Sequence, residues 1–221
     1  MLTVHHLNNS RSQRVLWLLE ELAVPYEIVR YQRQSDMRAP KELRAIHPLG
    51  KSPVITDAGN TIAESGAIVE YIVDSYGDGR LIPLPRTPER LRYCYWLHYA
   101  EGSAMPLLLL KLLFGLMPKR APALLRPVVR KVCSQALTAL VNPQLRQHMA
   151  FWEEELSKSP WFAGDEFSAA DIQMSFPLEA AAARAGLDQG HPNAMAFLER
   201  IHARPAYQRA LEKGGPYVVG R

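Results

Sequence analysis

The spacing of apolar residues divides the chain into two parts with different periodicities. In residues 1–77, short β-branched runs alternate with stretches whose apolar residues recur every three or four positions, which predicts strands and helices in the order βαβαββα. From residue 89 nearly every segment has the helical period, and Pro106 should kink the first long helix. Prolines and glycines interrupt both patterns over residues 78–88. We therefore predict an α/β domain over 1–77, a linker over 78–88 and an all-α domain over 89–221.

The composition is that of a folded protein from a reducing compartment. Of the 221 residues 48% are apolar and 22% are charged, and the two cysteines, Cys94 and Cys133, are too few for a disulfide framework or a zinc site. Met1 leads directly into an apolar strand without a basic start, so we expect a cytoplasmic protein without a signal peptide. The longest apolar run, residues 107–117, covers about half of a membrane span and contains Lys111. We therefore predict a buried helix there and no membrane span.

The formal net charge of +4 is unevenly distributed along the chain. Residues 102–152 contain no aspartate or glutamate, but they contain seven cations: Lys111, Lys119, Arg120, Arg126, Arg130, Lys131 and Arg146. Such a segment could attract nucleic acid, anionic lipid or an acidic small molecule, although we favour a solvated face that acids elsewhere in the fold balance. The segment shows no recognisable nucleic-acid-binding module, so we expect no nucleic-acid partner.

Short polar residues occupy two positions where a predicted strand is followed by a helix. Asn9 and Ser10 precede the first helix, and Glu64 and Ser65 precede the helix that ends near Tyr76. The first backbone N–H groups of a helix have no partner inside it and carry a partial positive charge, which favours an anion. Asn9 or Ser10 could instead serve only as an N-cap, and we expect Ser65 both to cap its helix and to help hold a carboxylate. Glu64 could bind an ammonium group.

A third polar segment, HPLGKSPVI, lies between these two helix starts. Gly50 permits a tight turn, Lys51 supplies a movable cation, and Pro53 interrupts the entry to a strand. Together with the helix starts, this segment would suit a zwitterionic peptide. His5 and His6 point to opposite faces of one strand and cannot bind a metal ion jointly, so we predict no metal site.

These segments carry a family resemblance. The order of NNSRSQRVLWLLEEL, HPLGKSPVI, AESGAIVEYI, linker and helical domain resembles the cytosolic glutathione transferases, and the VHHLNNSRS opening is most similar to a bacterial and fungal serine-type subgroup. The resemblance implies a thioredoxin-like first domain followed by an all-helical second domain. The sequence FSAADI at 167–172 is similar to the family's helix-start motif, in which Ser168 and Asp171 would form a capping box.

The resemblance also implies where glutathione, the co-substrate, binds. Lys51 would contact the glycine carboxylate of glutathione, the backbone of Ser52 would contact the cysteinyl part, and Pro53 would follow a cis peptide bond. Glu64 and Ser65 would hold the γ-glutamyl end. Five residues from two segments, 51–53 and 64–65, are therefore expected to line one cleft.

The catalytic position is the point at which the sequence departs from the family pattern. Many members place Ser, Tyr or Cys before the first helix, where the side chain meets the substrate sulfur. Counting back from Arg14 and Val15 gives this position to Asn9, and a shift of one residue gives it to Ser10. We favour Ser10, whose hydroxyl can donate to a thiolate, with Asn9 as an amide donor in the same role. Neither residue is a cysteine, so we expect no mixed disulfide with the enzyme here.

The predicted function is glutathione S-transferase activity toward small hydrophobic electrophiles, of the kind used in detoxification. A glutathione-dependent reductase of disulfides or peroxides and a non-catalytic module with the same fold are the alternatives. Tyr99, Met105 and Leu109 are the candidate walls of the electrophile pocket, although such residues at helical spacing often belong to a core. The family likeness also implies a homodimer.

Overall fold

The computed structural model describes residues 1–34 and 40–217, so part of the predicted loop before residue 40 lies outside the described residues. The first domain is built on a four-stranded sheet in the order β2-β1-β3-β4. The strands are β1 (Leu2–Leu7), β2 (Tyr26–Tyr31), β3 (Val54–Asp57) and β4 (Asn60–Ala63). Strand β1 is parallel to β2 and antiparallel to β3, and β3 and β4 form an antiparallel pair.

Three helices complete the predicted βαβαββα order, which is that of a thioredoxin-like domain. They are α1 (Ser12–Leu22), α2 (Lys41–Ile46) and α3 (Ser65–Tyr76). Because apolar residues recur at helical spacing in α1 and α3, each helix buries one face against the sheet, whose inner residues include Val4 and Ile55. The start of α1 lies close to the end of β1, because only residues 8–11 separate the two elements.

The described part of the second domain is all-helical, as predicted. Its helices are α4 (Pro88–Tyr99), α5 (Met105–Arg120), α6 (Arg126–Ala136), α7 (Asn142–Lys158), α8 (Ala169–Arg184), α9 (Pro192–His202) and α10 (Pro205–Gly214). Helices α8 and α10 pack against α1, which also contacts β1 and α3. Helix α1 is consequently buried along almost its whole length, and it joins the two domains.

Two short π-helical turns interrupt the long helices, and each precedes a proline. The turn Ala100–Ala104 separates α4 from α5 just before Pro106, where a kink was predicted. The turn Leu137–Val141 joins α6 to α7 just before Pro143, so α6 and α7 form one continuous helical run. A π-turn shifts the hydrogen-bond pattern by one residue, which accommodates the N–H group that proline lacks.

The predicted capping box at the start of α8 is confirmed. The Asp171 carboxylate accepts hydrogen bonds from the backbone N–H groups of Ser168 and Phe162, both at 2.8 Å, and from the Ser168 hydroxyl at 3.0 Å. Asp171 is completely buried, and this burial raises the pKa of its carboxyl to about 6 against the opposing effect of the hydrogen bonds. The motif therefore fixes the start of α8 and the loop before it.

The prediction of a buried helix over residues 107–117 is wrong beyond its first turn. Leu107 and Leu108 are buried, but the later apolar residues Leu109, Leu110, Leu113 and Met117 are exposed. The reason is that this end of α5 packs mainly against α6, and α6 has only one buried residue, Cys133. By length and composition alone, the helical run Pro88–Arg120 is apolar enough to cross a membrane, although its first half contributes Trp96 and Leu97 to the core.

Candidate functional site

A cleft in the first domain brings together all five residues predicted to bind glutathione. Its lining comprises Lys51, Ser52, Pro53, Glu64 and Ser65, together with Arg11, His47, Leu49 and Ala63. The start of α1, the loop before β3 and the turn before α3 each contribute to this lining. The two helix starts therefore face one shared cleft, as the sequence predicted.

The peptide bond between Ser52 and Pro53 is cis, as predicted. Pro53 is buried at the entrance to β3, and the Ser52 hydroxyl lies 3.1 Å from the Ser10 hydroxyl. The loop before β3 is therefore in direct contact with the chain that enters α1. This contact places Ser10 beside the position predicted for the cysteinyl part of glutathione.

A chain of hydrogen bonds runs from Ser10 into the interior of the domain. The Ser10 hydroxyl lies 2.8 Å from the Ser12 hydroxyl, and the Ser12 hydroxyl lies 2.9 Å from Nδ1 of His6. Burial and the nearby charge of Arg30 together lower the pKa of His6 to about 4, against the opposing effect of a hydrogen bond with the Gly214 backbone. His6 is therefore neutral at pH 7.

The neutral state of His6 sets the directions of these hydrogen bonds. A neutral imidazole carries one N–H group, and the backbone carbonyl of Gly214 accepts from it, so Nδ1 is an acceptor. Ser12 then donates to His6, and Ser10 donates to Ser12. The Ser10 oxygen also accepts from the Ser12 backbone N–H at 3.3 Å. Ser12 and Ser52 are therefore the hydrogen-bond partners of the Ser10 hydroxyl.

Ser10 and Asn9 occupy different environments. Ser10 is 4% exposed, whereas Asn9 is exposed and has a left-handed backbone conformation with φ of 49°. The guanidinium of Arg33 reaches the Asn9 backbone carbonyl at 3.5 Å. Neither the Ser10 nor the Asn9 side chain lines the cleft itself, although Ser10 touches a residue that does. The choice between them as the partner of the sulfur stays a prediction.

The expectation that Ser65 caps α3 is wrong. Ser65 is the first residue inside the helix, and the N-cap position belongs to Glu64, whose side chain makes no capping hydrogen bond. The Ser65 hydroxyl instead accepts a hydrogen bond from Arg14 at 3.3 Å. Glu64 has a φ of 72°, a conformation that costs a non-glycine residue roughly 1–3 kcal/mol. The turn before α3 is therefore held by contacts outside the helix.

An ion-pair network that the sequence reasoning missed connects the two helix starts. Arg14 is 2% exposed, and it donates to Ser65, to the carbonyl of Gln173 at 2.5 Å and to the carboxylate of Glu101. Glu101 also binds Arg11 at 3.2 Å. Burial lowers the pKa of Arg11, and Glu101 and Glu64 oppose that effect. The available signal was the spacing of the two arginines, which places them one helical turn apart.

The three residues predicted to wall the electrophile pocket have different surroundings. Tyr99 is buried, and its hydroxyl accepts from Trp152 at 3.0 Å and bonds His148. Met105 is buried, and Leu109 is exposed. None of the three lines the cleft or the larger cavity of about 470 Å³, which lies between α5 and α6.

The paired histidines of β1 have separate partners. His5 bonds the hydroxyls of Tyr31 and Thr56 at 3.0 and 3.3 Å, whereas His6 bonds Ser12. Within residues 1–34 and 40–217, no group of three or more His, Cys, Asp or Glu side chains is arranged to hold a metal ion.

Comparisons with known proteins agree with this architecture. Family models described as the N-terminal and C-terminal domains of glutathione S-transferase match residues 1–74 and 116–205. Glutathione S-transferase 3 of Schizosaccharomyces pombe is 36% identical over 213 residues, which cover 96% of this chain and 88% of the relative. Glutathione S-transferase 1 of Saccharomyces cerevisiae is 32% identical over 222 residues, which cover 96% and 95%.

A solved structure shows the same likeness in three dimensions. The crystal structure of a glutathione S-transferase from Actinobacillus pleuropneumoniae matches with a TM-score of 0.78 and 31% identity, and the match covers 97% of this chain and 93% of that one. A sphingomonad glutathione S-transferase complexed with glutathione shares the fold, with a TM-score of 0.73 and 24% identity. The chain therefore belongs to the glutathione S-transferase family, as an enzyme with that transferase activity.

Proposed function

We propose that the cleft binds glutathione, lowers the pKa of its thiol and directs the thiolate at small hydrophobic electrophiles. The observation that carries this proposal is the convergence of Lys51, Ser52, Pro53, Glu64 and Ser65 on one cleft beside the start of α1. These residues come from two segments, 51–53 and 64–65. The family resemblance assigns the first segment to the glycine and cysteinyl parts of glutathione and the second to its γ-glutamyl end.

Each end of glutathione has a matching charge in the cleft. Lys51 is exposed and can bind the glycine carboxylate. At the other end, Glu64 can bind the ammonium group of the γ-glutamyl residue, and the N–H groups at the start of α3 can bind its carboxylate. The backbone of Ser52, beside the cis peptide bond, can pair with the cysteinyl residue. This arrangement would bring the sulfur toward the start of α1.

The start of α1 can supply enough stabilisation to ionise the thiol. A free thiol has a pKa of about 8.5, and lowering it by about two units requires about 2.7 kcal/mol. One hydrogen bond to a charged group contributes roughly 1.5–3 kcal/mol, and a helix N-terminus adds about 0.3–1 kcal/mol. Turning the Ser10 hydroxyl from Ser12 to a thiolate replaces a neutral hydrogen bond by a charge-assisted one. Arg11 adds a positive charge that Glu101 only partly neutralises.

The electrophile would be held against the helical domain. Glu101 contacts Arg11 in the cleft, so the helical run around Glu101 passes beside the proposed position of the sulfur. Tyr99, Met105 and Leu109 belong to this run. The run is therefore the proposed wall of the electrophile pocket. In the conjugation the thiolate forms a carbon–sulfur bond, the leaving group departs with its electron pair, and the thiol proton goes to solvent.

Three measurements test this proposal. Initial rates are measured with a chloronitrobenzene acceptor and with a small mixed disulfide, and we expect conjugation to exceed reduction. Faster turnover of the disulfide would support a glutathione-dependent reductase instead. Titration calorimetry tests binding separately, because an absence of binding heat even at millimolar glutathione would identify a non-catalytic module.

We also propose that the enzyme is a cytoplasmic homodimer of the serine-type subgroup, in which the first domain of one subunit packs against the helices of the other. Leu91 and Tyr95 are exposed apolar residues on α4, and they are candidates for this contact. Sedimentation velocity should give about twice the chain mass of 24.9 kDa. A species of the chain mass at micromolar concentration would contradict the dimer.

A further inference from the structure

The turn between α5 and α6 exposes an unusual concentration of apolar side chains. We call residues 117–128 the hairpin tip; it comprises the end of α5, the turn and the start of α6. Leu124 is 90% exposed and Val128 is 63% exposed, and Met117 and Leu125 are about half exposed. Contiguous exposed apolar residues on a folded domain indicate a surface that meets a partner or a membrane.

The charges of the hairpin tip all have one sign. Lys119, Arg120 and Arg126 lie within it, and residues 102–152 contain no aspartate or glutamate. Within the described part of the chain, none of these three cations forms an ion pair with a carboxylate. The expectation that acids elsewhere in the fold would balance this segment is therefore wrong at the hairpin tip. Three unpaired cations beside exposed aliphatic groups create a surface that complements negative charge.

We propose that the hairpin tip docks on an anionic lipid surface. Aliphatic side chains gain free energy by entering the boundary between headgroups and acyl chains, while lysine and arginine attract acidic headgroups. A folded partner protein would need acids matched to three separate cations, whereas an anionic bilayer offers negative charge at every position. The exposed groups of the tip are aliphatic rather than aromatic, which favours lipid over stacked nucleic-acid bases.

The proposal predicts how strongly each kind of side chain contributes. A cation near an anionic membrane strengthens binding about fivefold, so reversing two charges should weaken it roughly 100-fold or more. Binding should decrease at high salt, because screening reduces the attraction between surface charges. Replacing Leu124 and Val128 by aspartate should also abolish binding, because charged side chains would have to enter the apolar boundary.

The test is co-sedimentation of the full chain with vesicles of phosphatidylcholine alone or of phosphatidylcholine with phosphatidylserine. We expect binding only to the vesicles that contain phosphatidylserine, and we expect the double variants Leu124→Asp/Val128→Asp and Arg120→Glu/Arg126→Glu to lose it. Leu84→Asp is the matched apolar control, because Leu84 is 76% exposed but lies outside the tip. Arg146→Glu is the matched charge control, because Arg146 is an exposed cation of the same acid-free segment.

Three further measurements keep the outcome decisive. Thermal unfolding and glutathione transferase activity should be unchanged in all four variants, which would show that lost binding is not lost folding. Failure of the unchanged chain to bind phosphatidylserine vesicles, or equal binding by the tip variants, would overturn the proposal. Sedimentation velocity is the third measurement. If the tip variants dissociate a dimer, the tip is a contact between copies of this chain, and the proposal is also overturned.

Discussion

Replacing Ser10 by alanine is expected to raise the pKa of the bound glutathione thiol without much loss of glutathione affinity. The hydroxyl of Ser10 lies 3.1 Å from Ser52, beside the cis peptide bond, and is the group we expect to donate to the sulfur. Glutathione affinity should depend mainly on Lys51 and on the turn at Glu64, which the substitution does not touch. The loss should therefore appear in turnover.

The size of the effect follows from the hydrogen bond that is removed. A hydrogen bond to a charged group contributes roughly 1.5–3 kcal/mol, and 1.36 kcal/mol corresponds to one pKa unit. The thiol pKa should therefore rise by about one to two units in Ser10→Ala. The remaining helix N-terminus and Arg11 should keep it at or below the value for free glutathione.

The assay is the thiolate absorbance of bound glutathione as a function of pH, together with the pH profile of kcat/KM for a chloronitrobenzene. Asn9→Ala is the matched variant at the other candidate position. Ser12→Ala is the control for the hydrogen-bond chain, because it removes the 2.8 Å partner of Ser10 but leaves the Ser10 hydroxyl available to the sulfur. We expect no increase of the thiol pKa in Ser12→Ala.

Two patterns of results would contradict the role of Ser10 as the thiolate partner. If Ser10→Ala leaves both profiles unchanged and Asn9→Ala shifts them toward higher pH, the thiolate partner is Asn9. If neither substitution shifts the profiles, hydrogen bonding from this segment does not set the thiol pKa.

Three further predictions concern binding and stability. Lys51→Ala should raise the KM for glutathione about tenfold with little change in kcat, because the glycine carboxylate loses a charged partner. Initial rates measured over a range of glutathione concentrations give this KM, and the control Lys131→Ala should leave it unchanged. Asp171→Ala should lower the free energy of unfolding by about 2–4 kcal/mol in urea titrations, because two backbone N–H groups lose their acceptor. The control Asp188→Ala should not lower the free energy of unfolding by this amount. The pKa of His6 is about 4 in the folded chain and 6.5 in the unfolded chain, so the unfolded chain binds a proton more readily. The contribution of neutral His6 to stability is therefore present above pH 6.5 and is lost as the pH falls toward 4. When the pH is lowered from 7 to 5, the free energy of unfolding in urea titrations should fall by about 2 kcal/mol more for the unchanged chain than for His6→Asn. Equal losses in the two proteins would contradict the lowered pKa of His6.

The fold was predictable from the sequence because its patterns are local. Strands β1 to β4 and helices α1 and α3 follow from periodicity and from turn residues, and the capping box at Ser168 marks the start of α8. The continuity of α6 and α7 was not predictable in the same way. A proline signals an interruption, but only the packed structure determines whether the chain turns or forms a π-turn.

The site was predictable where a residue's own chemistry identifies it. Lys51, Glu64 and the cis peptide bond before Pro53 were found through the motifs that contain them. The roles of Arg11 and Arg14 were missed because they depend on Glu101, which is remote in sequence and belongs to the other domain. The exposure of α5 beyond Leu108 was missed for a similar reason, since apolar composition does not reveal whether a helix has a neighbour.

A crystal structure with bound glutathione is the most direct test of the account. We predict that glutathione lies between the starts of α1 and α3, with its glycine carboxylate at Lys51 and its γ-glutamyl end at Glu64 and Ser65. The sulfur should lie within about 3.5 Å of the Ser10 hydroxyl oxygen. Glutathione bound in the cavity between α5 and α6, or a sulfur that contacts neither Ser10 nor the start of α1, would contradict it.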